Sequence, residues 1–121
     1  MPKRVLNVGQ CSADHGSIMH FLKLRFDVEI DRTHALDDTL DALRDGTYDL
    51  VLVNRQLDRG GEGMDVLRTI KEDPQLRATP VMLVSDFADA QEAAVAAGAE
   101  SGFGKSEYNS TTAEKLAAYL G

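Results

Sequence analysis

The run Asp49-Leu50-Val51-Leu52-Val53-Asn54 decides the fold. Its apolar residues follow one another without the polar alternation of a half-wet strand, so it reads as a strand covered on both faces, as in a parallel sheet. Pro80-Val81-Met82-Leu83-Val84 repeats the pattern, and these two strands are expected to be central. Shorter apolar segments to either side complete a set of candidate strands at 4–8, 26–30, 49–53, 80–84 and 101–104. A segment of helical period follows each one, and that alternation favours a parallel sheet wrapped by helices. The expected class is α/β, a single doubly wound (βα)5 domain over residues 1–121 with helices on both faces.

The helical segments carry apolar stripes at the right spacing. The first, from about Asp14, offers Ile18, Phe21 and Leu22; the second Leu36, Leu40 and Leu43; the third Met64, Leu67 and Ile70. Asp73-Pro74 ends the third, because the residue before proline avoids helical geometry. The fourth has only Ala90, Ala93, Ala94 and Ala97 to bury, so it is expected to be the most loosely held. The fifth offers Ala113, Leu116, Ala117 and Leu120, and Thr111 with Glu114 three residues on reads as a capping box at its start.

Composition narrows the function. With 121 residues, 43% of them hydrophobic, the chain is long enough to bury one core without staples. Its single cysteine, Cys11, cannot form an internal disulfide, which suits a reducing compartment. The opening apolar run, Val5 to Val8, is far too short for a signal-peptide core, and no stretch approaches the ~18 apolar residues of a membrane span. A cytoplasmic location is therefore expected. The formal charge of −7 argues against unaided binding to nucleic acid or to an anionic membrane, both of which reward clusters of lysine and arginine. Proteins are the expected partners.

With five strand–helix units placed and the strand ends located, the chain resembles the receiver domain of bacterial two-component response regulators along nearly its whole length. The residues that carry the resemblance are the Asp49 to Asn54 strand, Ser85 ending the fourth strand, and Lys105 shortly after Gly98-Ala99. The resemblance implies strand order 2-1-3-4-5 and an active site at the carboxyl ends of the strands. It also implies positions. The acidic pair after the first strand falls on Gly9 and Gln10, the phosphoacceptor aspartate on Asn54, the hydroxyl residue on Ser85 and the lysine on Lys105. In working receivers Mg²⁺ is held by the acidic pair, the phosphoacceptor and the backbone carbonyl two residues on, which is that of Gln56 here.

Several departures follow. Ser106 stands where the family has proline, so an ordinary trans peptide is expected there. The loop Gln56 to Gly63 lacks the family's proline and is about one residue longer. Gly102 stands at the switch aromatic, and Phe103 comes one residue later, an offset that points a strand side chain to the opposite face.

The chemistry points the same way. An acyl phosphate forms when an anionic carboxylate oxygen attacks phosphorus, whereas the Asn54 amide oxygen is uncharged and its nitrogen lone pair is delocalised. Gly9, Gln10 and Asn54 offer Mg²⁺ no carboxylate, and metal and cofactor are expected to be none. Asn54 reads as a hydrogen-bonded strand cap, and Lys105 either bonds the Asn54 side-chain oxygen or turns to solvent. Three acids near the site mouth, Asp14, Asp58 and Asp86, are alternative candidates for phosphorylation by a histidine kinase, with Asp58 foremost. Helix caps and solvated turns are the plainer reading of the three.

Other motifs fall away. Ala99 to Ser106 is one glycine short of a P-loop and has the wrong context, a helix before it and a loop after. Cys11 and His15 form no metal site without two further ligands. The glycines at Gly9 and Gly60-Gly61 leave a third reading, a flavodoxin-like cradle for a phosphate or flavin. The expected function is a non-enzymatic pseudo-receiver, a monomer or weak homodimer that binds a signalling protein. The face that the resemblance implies, made by the fourth helix, fifth strand and fifth helix, comprises Asp89, Glu92, Glu100, Phe103 and Glu107.

Overall fold

A computed structural model describes residues 2–121. Strands and helices alternate in the order β1 (Lys3–Val8), α1 (Ser12–Arg25), β2 (Val28–Thr33), α2 (Leu36–Asp45), β3 (Leu50–Asn54), α3 (Gly63–Glu72), β4 (Val81–Val84), α4 (Ala88–Ala96), β5 (Glu100–Phe103) and α5 (Ser110–Leu120). All five strands are parallel and lie in the order β2-β1-β3-β4-β5.

Strand alternation divides the core. Leu6, Val8, Val51, Val53, Val81 and Leu83 face one side, where Leu43 of α2, Val66, Leu67 and Ile70 of α3 and Ala94 of α4 cover them. Val5, Leu50, Leu52, Met82 and Val84 face the other, under Ile18, Phe21 and Leu22 of α1 and Leu116 and Leu120 of α5. Period two in the strands and 3.6 in the helices thus meet in two apolar layers around one sheet.

The boundaries differ from expectation where the chain is polar. β2 runs over 28–33 rather than 26–30, because Phe26 closes α1 through its N–H to the Leu22 carbonyl, and β2 continues through Asp31 and Arg32. At the edge of the sheet a strand needs no continuous apolar run. α1 begins at Ser12 rather than about Asp14. The expected capping box at Thr111 and Glu114 does not form: Asn109 caps α5, its side-chain oxygen accepting from Thr112 N at 3.0 Å. No peptide bond among the described residues is cis, including the one before Ser106.

α4 fully buries only Ala94, as its alanine stripe suggests. A polar tie supplements it. Gln91 Nε2 lies 2.9 Å from the Leu83 carbonyl oxygen, 3.1 Å from that of Ser85 and 3.3 Å from that of Phe103. Gly102 makes room for this amide, since a Cβ there would collide with the Leu83 carbonyl and approach Gln91 Oε1 to 2.9 Å.

Candidate functional site

The residues singled out in the sequence converge at the carboxyl ends of β1, β3, β4 and β5. Asn54 closes β3, and its side-chain nitrogen donates to Gly9 O at 3.0 Å and to Gln56 O at 2.7 Å. Gly9 reaches this position with φ +72, and its carbonyl also accepts from Asp58 N at 3.0 Å. Asn54 is thus the hydrogen-bonded cap that its residue type suggests, joining the first loop to the third. The residues present do not fit the Mg²⁺ that the receiver resemblance implies. No carboxylate stands at Gly9, Gln10 or Asn54, and the Gln56 carbonyl, a metal ligand in that scheme, already accepts from the Asn54 amide.

Lys105 takes neither expected course. Its ammonium pairs with Asp14 Oδ2 at 2.8 Å, across 91 residues of sequence, with both side chains partly shielded from solvent. That bond holds the Asp14 carboxyl below its ordinary pKa of 3.8; burial opposes the shift, while a bond from Cys11 and the charge of Lys105 add to it. Asp14 therefore caps no helix: it lies inside the first turn of α1 and carries the site's ion pair. Asp86 caps none either. Its Oδ1 accepts from Ser106 N at 3.2 Å and Ser106 Oγ at 2.8 Å, fixing the loop after β5. Ser85 is buried, its Oγ accepting from Phe87 N at 3.2 Å.

Asp58 is engaged elsewhere. Its carboxylate, 17% exposed, meets His34 Nδ1 at 2.8 Å and lies 3.8 Å from Arg32. Arg32 also donates to Gln10 O at 3.0 Å. Beside it, Asn7 Nδ2 lies 2.9 Å from His15 Nδ1. Burial, and then the charges of Arg32 and His34, depress the His15 pKa below 6.5. Gln10 is 0% exposed, and neither polar atom of its amide has a partner among the described residues. In the loops of the flavodoxin-like reading, Gly9 N donates to Thr33 O and Gly60 N to Leu57 O.

A cleft of about 340 Å³ opens over the strand ends, lined by Asn54, Ser85 and Lys105 and rimmed by Arg55 and Phe87. The Arg55 guanidinium sits 4.8 Å from the Phe87 ring centroid, and Phe87 is 57% exposed. Of the expected interaction face, Asp89, Glu92, Glu100 and Glu107 are exposed. The Glu107 carboxylate turns back to accept from Gly104 N at 2.6 Å. Phe103 does not belong to the face: it is 2% exposed and packs in the α1/α5 layer, its ring 6.4 Å from that of Tyr108. Sequence reasoning missed Arg55, Phe87, His34 and Gln91. An arginine directly after Asn54 and an aromatic two residues after Ser85 were the available signals for the first pair.

No protein-family model matches the sequence, and no curated protein aligns with it significantly. Solved structures do match. The signal receiver domain of a DNA-binding response regulator from Colwellia psychrerythraea 34H superposes with a TM-score of 0.80 at 24% identity, over 96% of this chain and 95% of that one. The chemotaxis protein CheY4 of Vibrio cholerae gives 0.79 at 16% identity, over 99% and 100%. The Mn²⁺-bound form of response regulator Rcp1 gives 0.78 at 22% identity, over 98% and 95%. The chain has the fold of response-regulator receiver domains.

Proposed function

We propose that this chain is a pseudo-receiver, a non-enzymatic signalling module that acts by binding other proteins and takes no phosphoryl group at the strand ends. One observation carries the reading. The Asn54 amide donates to the two carbonyls beside it, so a neutral donor fills the position where a receiver of the resembled family would need an anion and a cation together. Rcp1 is described as binding Mn²⁺; this chain lacks the carboxylates for such a site. Asp89, Glu92 and Glu100 suit a basic partner, attracted over the Debye length of about 8–10 Å. The location that fits is the cytoplasm, and no helix among the described residues is long and apolar enough to cross a membrane.

The competing reading, phosphorylation by a histidine kinase at a relocated acid, now centres on Asp14 rather than Asp58, because Asp14 is the carboxylate that meets Lys105. Incubation with acetyl phosphate and Mg²⁺, followed by intact-mass measurement, separates the two. An unchanged mass is expected; a phosphoryl adduct mapping to Asp14 or Asp58 would overturn the proposal. Glu92→Lys with Glu100→Lys tests the face once a basic partner is in hand. Association should slow at low salt, whereas Asp37→Lys with Asp41→Lys on α2 should leave it unchanged. Asp38 is unsuitable as a control, since its carboxylate accepts from His34 N and Ala35 N.

A further inference from the structure

We infer that His15, Asn7 and Arg32 form an acid-sensitive clasp, which holds the first loop against the edge of the sheet while His15 is neutral and lets it go when His15 takes a proton. The clasp works whatever the domain binds, so it stands apart from the reading above. The first loop leaves β1 through Gly9, at φ +72, and enters α1 at Ser12. Arg32 of β2, the neighbour of Asn7 in the β1–β2 register, holds it. The guanidinium donates to Gln10 O at 3.0 Å and to Ser12 Oγ at 3.4 Å.

Tautomers decide which histidine senses the proton. An amide nitrogen only donates, so His15 Nδ1 accepts from Asn7 Nδ2 at 2.9 Å and the neutral ring carries its hydrogen on Nε2. A carboxylate only accepts, so His34 Nδ1 carries a hydrogen toward Asp58 Oδ2 at 2.8 Å. A proton added to His34 goes to Nε2 and leaves that bond intact. A proton added to His15 goes to Nδ1, where it meets the Asn7 N–H, and Asn7 must turn its amide over to offer Oδ1 instead. Asn7 Oδ1 is buried with no partner among the described residues, so it is able to accept.

Charge then moves Arg32. Around His15 stand Asn7 from β1, Arg32 from β2 and His34 from the loop after β2. The nearby carboxylates are engaged: Asp14 on α1 by Lys105 from the loop after β5, and Asp58 from the loop after β3 by His34. An imidazolium at His15 therefore faces the Arg32 guanidinium with no anion of its own. Arg32 has an alternative partner, because Asp58 Oδ2 lies 3.8 Å from it, close enough for an ion pair and too far for a good hydrogen bond. A shift toward Asp58 surrenders Gln10 O and Ser12 Oγ. The loop itself favours release. Gln10 is 0% exposed and neither polar atom of its amide has a partner among the described residues, so an opened loop returns a costly buried amide to water.

The test follows the histidine ring and side-chain amide resonances of the ¹⁵N-labelled full chain as pH is lowered from neutrality. His15 should titrate below 6.5, where burial and the charges of Arg32 and His34 hold it, and the Asn7 side-chain amide and the backbone N–H groups of Gln10 and Ser12 should shift with the same midpoint. His15→Gln, which keeps an acceptor but takes no proton, should abolish the shifts at Gln10 and Ser12 in that range. Arg32→Gln should raise the proton affinity of His15 about threefold. Urea unfolding gives a second readout. With the His15 pKa lowered in the folded chain, the unfolded chain takes the proton first, so stability should be full above pH 6.5 and fall as pH drops toward the lowered value. His15→Gln should remove that fall. A His15 midpoint at or above 6.5, an Asn7 amide that stays still while His15 titrates, or Gln10 and Ser12 shifts that persist in His15→Gln would each overturn the inference. The acetyl phosphate experiment bears on none of these readouts, so the two readings fail separately.

Discussion

The ends of β1 and β3 and the ends of β4 and β5 lie along one edge of the sheet and hold their polar residues in different ways. On the β1–β3 side the residues serve the backbone: Asn54 bridges two loops, and Gly9 holds a left-handed turn. On the β4–β5 side Ser85 and Lys105 are engaged through their side chains, with Phe87 N and Asp14. Substitution on the first side should be costly, because the backbone is settled around its residues; on the second it should be cheap, because only a side-chain partnership is lost.

The largest expected effect is at Gly9. An aspartate there would have to adopt φ +72 with its Cβ 3.0 Å from Leu57 Cα, a conformation and contact that side chains avoid. Gly9→Asp should destabilise the fold by about 3 kcal/mol in urea unfolding. A loss too small to measure would show that the first loop moves freely, and the contrast between the two sides would collapse.

Asn54→Asp should come next, at about 2 kcal/mol, since it removes the two N–H donors of the amide and sets an anion against two carbonyl oxygens. Those carbonyls would raise the new carboxyl's pKa. A raised pKa means that the acid-side form is the better accommodated one, so the deficit should shrink as pH falls toward about 4 and grow as pH rises above it. A deficit independent of pH would mean that the side chain has turned away from Gly9 and Gln56.

Lys105→Met should be the mildest. The ion pair is partly exposed, which limits its worth to about 1 kcal/mol or less. Its signature is the opposite pH dependence. Because Lys105 lowers the Asp14 pKa, its contribution is complete above the ordinary value of 3.8 and disappears as pH falls through the lowered one. Lys105→Met should therefore flatten that acid-side slope, read from stability curves or from the Asp14 carboxyl resonance. An unaltered slope would assign it to another carboxylate and leave Lys105 as a bystander.

Much of this was legible in the sequence because it is local. The apolar runs at 50–53 and 81–84 placed the central strands, helical stripes placed all five helices, and Asn54 by its own chemistry excluded an acyl phosphate at that position. Residue type and spacing carry such information, since strand and helix periods and the reactivity of a functional group depend on few neighbours. The polar edges carried less: β2 slid by two to three residues, and α5 took Asn109 as its cap where Thr111 also offered a side-chain oxygen.

Only the tertiary structure decided who meets whom. Lys105 chose Asp14 from 91 residues away, Asn54 reached Gly9 across 45, and Asp58 was claimed by His34 at a separation of 24. Phe103 turned inward although it was expected on an interaction face, because strand alternation at β5 points it into the α1/α5 layer. Each pairing is worth about 1 kcal/mol against alternatives of similar worth, so no local pattern announces it. The sheet brings distant loops to one edge, and it is the packed chain that selects among the partners found there.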